Sequence, residues 1–203
     1  MPLRRSIIVS AAGLASLVAV QYFDGSMPIW FWIIGMLLAF ACMYATILLG
    51  AGTGKREGLY ITARAFVLAE LVASLHWQIV TFIGVRDGFA DYDWRAIALL
   101  VVTYALCFGL AWMVERGNFS QATPTLPTAS AAIATMAIMI VTFAMSNLSF
   151  VSTNTPFSGS VGQEIFYIRT LVDFCGFAIL YAQQEQARRI EANTELASIN
   201  AQL

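Results

Sequence analysis

Charge is the scarcest commodity in this chain. Of its 203 residues, 11% are Asp, Glu, Lys or Arg, while 59% are apolar and the mean hydropathy is +0.73. Soluble domains carry about 25% charged residues. A water-soluble globular fold is therefore excluded as the default. Disorder is excluded as well, because it needs low hydrophobicity and high charge. The formal net charge is -1, from 11 basic and 12 acidic residues, and this offers no electrostatic footprint for nucleic acid.

The other scarcities concern chemistry. There is one histidine, His76, so no second imidazole exists for a metal site. No Ser/His/Asp set, HExxH motif or surface pair of catalytic carboxylates occurs, so neither enzyme activity nor a cofactor is expected. Cys42, Cys107 and Cys175 are widely spaced inside apolar runs, with no CxxC. They read as small packing residues rather than a disulfide or metal site. The segment Gly50-Ala-Gly-Thr-Gly-Lys55 superficially suggests a phosphate loop. It has Leu49 where the first glycine belongs and Arg56 where Ser or Thr belongs, so it reads as a turn.

What the chain does have is long apolar runs. A spanning helix needs about 20 mostly apolar residues. Six runs fit, at 6–22, 28–49, 60–83, 94–114, 128–151 and 164–183, with short polar connections. The first follows Arg4 and Arg5 but has no small-x-small cleavage site, so it reads as a retained span rather than a signal peptide. The predicted fold is all-α, an integral membrane bundle of six spans. Placing both termini in the cytoplasm puts Arg4, Arg5, Lys55, Arg56, Arg116, Arg188 and Arg189 on one side. Only Arg86 and Arg95 lie on the other, so the positive-inside rule favours this orientation. Trp30, Trp32, Trp77, Trp94, Tyr22 and Tyr92 gather towards the outer interface.

Residues 1–183 then form the bundle, and 184–203 a cytoplasmic helix. The tail has no Gly or Pro and is rich in helix formers. Ala192, Leu196, Ile199 and Leu203 are spaced 4, 3, 4, a coiled-coil-like seam suited to a homodimer.

Charges at membrane depth cost about 2.5–3.5 kcal/mol each, so they face the bundle interior and find partners. Arg64, Glu70 and His76 lie in the third span, and Arg169 and Asp173 in the sixth. At 1.5 Å per residue, Glu70 and Asp173 fall near mid-membrane, with His76 and Arg169 roughly 10 Å below the outer surface. Arg64 is close enough to the inner face to snorkel. The expectation is a buried polar cluster joining spans three and six around Arg169, with Glu70, Ser74 and Trp77 on one stripe. Thr142, Ser146, Asn147 and Ser149 end the fifth span. With Asn154, Phe150 and Phe157 of the following loop, they are expected to form an outer vestibule.

Two stretches, SNLSFVSTNTPFS at 146–158 and IFYIRTLVDFCGFAILYA at 165–182, resemble the membrane sensor region of GHKL-type sensor histidine kinases of Gram-positive bacteria. Asn147, Asn154, Pro156, Phe157, Arg169 and Asp173 belong to the shared pattern. The resemblance implies a bacterial membrane sensor of a two-component system, driven by a small-molecule, peptide or lipid signal. It also implies a cytoplasmic kinase domain or response partner. No cytoplasmic phosphoacceptor histidine or ATP-binding box occurs in these residues, so kinase chemistry is not expected of them. Size, six spans and inside termini also suit the substrate-binding subunit of an energy-coupling-factor transporter. There Ala11, Ala15 and Ala19 would form a small-residue packing face on span one.

Overall fold

A computed structural model describes residues 3–26, 31–87, 94–116, 129–151 and 160–201. The described residues form six helices and no strand: α1 (Leu3–Ser26), α2 (Trp32–Ala51), α3 (Lys55–Asp87), α4 (Trp94–Arg116), α5 (Ala129–Val151) and α6 (Ser160–Asn200). All six are long and apolar enough to cross a membrane. In hydrocarbon every backbone N–H and C=O must be satisfied within its own segment, and a helix does this alone. Side-chain hydroxyls follow the same rule. Those of Thr46, Thr62, Thr135 and Thr170 each donate to the carbonyl four residues back, at 2.7–2.9 Å.

The helix α3 is the hub. It packs against α2, α4, α5 and α6, while α1 lies against α2. The core gathers Met36 of α2, Tyr60, Phe66 and Val67 of α3, and Leu180 of α6. Tyr60, Arg64 and Gln78 of α3 meet Leu180, Gln184 and Phe166 of α6 respectively, so the two helices run antiparallel. The α2–α3 connection and the far end of α6 therefore share one end of the bundle. Gly52 makes that connection tight. At φ 67° it caps α2 in the left-handed region, its N–H donating to Leu48 O at 3.2 Å.

Two sequence expectations change here, those for Cys175 and Arg64. Ala11, Ala15 and Ala19 face outward in the single chain, and buried Gly13 lies against α2. A Cβ on Gly13 would sit 2.2 Å from Thr46 Oγ1. Cys175 is exposed rather than packed, whereas Cys42 and Cys107 are half-buried. Arg64 does not snorkel. It is buried, donates to the Gln184 side chain, and lies 5.8 Å from the Tyr60 ring centroid. A paired guanidinium inside the bundle avoids stretching towards the interface.

Candidate functional site

The bundle is apolar outside and polar inside. Leu171 is 62% exposed, whereas Arg169 is 3% and Asp173 0% exposed. Positions 169 and 173 are four apart and so share one face of α6. That face meets Glu70 and Ser74 of α3, themselves four apart, and Ser146 of α5.

Arg169 is the centre. Its Nη2 donates to Glu70 Oε2, and its Nε lies 3.8 Å from Asp173 Oδ2. Ser146 Oγ donates to the same Glu70 oxygen at 2.8 Å. Ser74 Oγ donates to Asp173 Oδ2 at 3.3 Å, and Thr142 of α5 lies beside the same carboxylate. The guanidinium also stands 5.6 Å over the Phe166 ring. Two carboxylates and one guanidinium thus share a largely buried volume, Glu70 being 15% exposed, and hydroxyls from α3 and α5 supply further hydrogen bonds. Such a cluster holds only while its members are together, because removing one leaves an uncompensated buried charge.

Glu70, Arg169 and Asp173 come together as expected from the sequence. Trp77 stands at the edge, 40% exposed, its ring centroid 6.0 Å from that of Phe166. That ring in turn lies under the Arg169 guanidinium. His76 turns to α4 instead, edge-on to Tyr104 at 5.9 Å. Asn147 is buried and bonds back to Phe143 O at 2.8 Å. Ser146 and Thr142, expected to line a vestibule, face the cluster instead. Asn154, Phe157 and Leu203 lie outside the described residues.

Two links were not anticipated. Gln78 Nε2 donates to Phe166 O at 2.8 Å and to Thr170 Oγ1. At the other end of the interface Tyr60 Oη donates to Leu180 O at 2.6 Å, next to the Arg64–Gln184 bond. Gln78 and Gln184, polar residues in or next to spans, were the available signal. No group of three His, Cys, Asp or Glu residues suited to a metal ion occurs among the described residues. Comparisons with protein-family models, curated proteins and solved structures return no match.

Proposed function

We propose that the chain is a membrane sensor module. On this reading it sits in a bacterial cell membrane with both termini in the cytoplasm, pairs with a second copy through its last helix, and transmits a signal to a cytoplasmic kinase or response partner. A ligand-induced change in packing around Glu70, Arg169 and Asp173 shifts α6 along or about its axis. Signalling needs an element with two discrete arrangements that a ligand biases.

One observation carries the reading. The helix that holds Arg169 and Asp173 is continuous over 41 residues, Ser160–Asn200, about 60 Å of rod. Hydrocarbon accounts for about 30 Å of that length. The rest continues past Gln183 as an exposed polar helix with an ion pair between Arg189 and Glu185 at 3.2 Å. Leu196 and Ile199 are exposed on it, as a dimer seam requires. A rigid rod joins the buried charges to the exit, so displacement at one end appears at the other.

The test is disulfide cross-linking in native membranes. Leu196→Cys and Ile199→Cys are introduced singly into a background without Cys42, Cys107 and Cys175. Both should cross-link two copies, with Asn193→Cys as the off-seam control. Adding Glu70→Gln should alter the cross-linking ratio between the two seam positions several-fold. A monomer at every position, or a pattern indifferent to Glu70→Gln, overturns the proposal. Co-purification of a monomer with a vitamin or an ATPase pair would favour the transporter reading instead.

A further inference from the structure

Across α6 from the charge cluster lies an apolar cavity of about 570 Å³ between α3, α4 and α6. Its walls include Leu68 and Leu75 of α3, Leu110 and Ala111 of α4, and Phe174 and Phe177 of α6. Its volume falls in the small-molecule range of about 300–1,000 Å³. Exposed Leu110 and Leu171 form its rim, so it opens sideways, towards the hydrocarbon of a bilayer.

Its position is more specific than its volume. Along α3 it runs from Leu68 to Gln78, and along antiparallel α6 from Phe177 to Tyr167. Each is ten residues, about 15 Å of helix. One leaflet of hydrocarbon is also about 15 Å deep, half of a 30 Å core. The cavity starts level with Glu70, at mid-span, and stops five residues short of Ile83, where the apolar stretch of α3 ends. That leaves about 7 Å between its upper end and the end of the stretch. Among the described residues no charged one lines it, and its polar side chains, Gln78, Thr170 and Tyr167, sit together at that end. The bonds from Gln78 to Phe166 O and Thr170 Oγ1 hold two of them in place.

We propose that this cavity binds a single-chain amphiphile with an uncharged hydroxyl or carbonyl head. The chain lies along the apolar wall for the depth of one leaflet, and the head hydrogen-bonds at Gln78, Thr170 and Tyr167. A carboxylate or phosphate head would meet no cation among the described residues of the lining, so nothing there would offset its charge. Thr170, Leu171 and Phe174 line the cavity, while Arg169 and Asp173 occupy the other face of the same turns of α6. An occupant therefore bears directly on the helix that holds the cluster. Binding stands without the sensor reading; the coupling to the exit helix rests on it.

The experiment uses the whole chain in phosphatidylcholine nanodiscs with a diazirine-bearing hexadecanol, labelled sites being mapped by mass spectrometry. Labels are expected within 68–78, 107–111 and 167–177, reduced about tenfold by excess hexadecanol and unaffected by palmitate. Leu171→Trp fills the rim from an exposed position, leaves the core untouched, and should reduce labelling by a similar factor. Equal labelling at outward-facing Leu14, Leu37 and Ile133 would overturn the proposal. So would competition by palmitate as effective as that by hexadecanol, or indifference to Leu171→Trp. Hexadecanol is then added to the Ile199→Cys cross-linking assay. A several-fold change supports the coupling, and a labelled cavity with unchanged cross-linking overturns the coupling alone.

Discussion

Arg169 shows how a single residue sets the terms for its neighbours. Its guanidinium is closed to solvent between two carboxylates, and the hydroxyls of Ser146 and Ser74 bond to those carboxylates. Arg169→Gln leaves buried Asp173 and partly buried Glu70 without their cation. It is expected to lower unfolding stability by about 3–5 kcal/mol, measured by denaturing-detergent titration in mixed micelles. Replacing all three charges together, Glu70→Leu with Arg169→Met and Asp173→Leu, removes the desolvation cost as well and should be neutral or stabilising. The comparison separates two roles. A cluster that only locks packing leaves the triple variant with the parent cross-linking pattern at position 199. A switch leaves it folded but fixed in one pattern. Tyr60→Phe is a milder case, losing one buried bond to Leu180 O and about 1 kcal/mol in the same titration.

At the scale of elements, α1 and α6 differ in how they are held. The helix α1 rests on α2 at Gly13, with little else of its surface covered. Gly13→Leu should drive α1 off Thr46 and cost about 1–3 kcal/mol. Ala15→Leu, on the outward face, should cost almost nothing. Thermal unfolding of the two variants side by side decides between this packing face and the alanine stripe. For α6 the property at stake is stiffness. Gln186 and Ala187 lie between the bundle and the seam, and replacing both with Gly weakens the rod by about 1 kcal/mol per position. Bundle stability should be unchanged, but cross-linking at 199 should no longer respond to Glu70→Gln.

For the whole molecule, the antiparallel pairing of α3 and α6 places the α2–α3 turn and the exit helix at one end. Lys55 and Arg56 thus join Arg188 and Arg189 at that end, and the proposed cytoplasmic placement rests on this clustering. Single cysteines at Thr53 and Ser198 should react with a membrane-impermeant maleimide in inverted vesicles but not in intact cells. Arg95→Cys should do the reverse. Much of the architecture was legible in the chain, because transfer into hydrocarbon is a local property of about 20 consecutive residues. Hence six apolar helices of spanning length and the long last helix followed from hydropathy and composition alone. Lateral placement was not legible. A span is apolar all round, so its sequence carries little amphipathic signal to show which face meets protein and which meets lipid. That is why Ser146 seemed to belong to a vestibule. The sequence by itself determined that six stretches are long and apolar enough to cross a membrane, and that Glu70, Arg169 and Asp173 fall inside two of them. Only the tertiary structure decided that Ser146 joins those charges while His76 turns to α4, that Arg64 turns inward to Gln184, and that α3, α4 and α6 leave a leaflet-deep cavity. Each of these depends on rotation about helix axes, which packing sets and hydropathy does not.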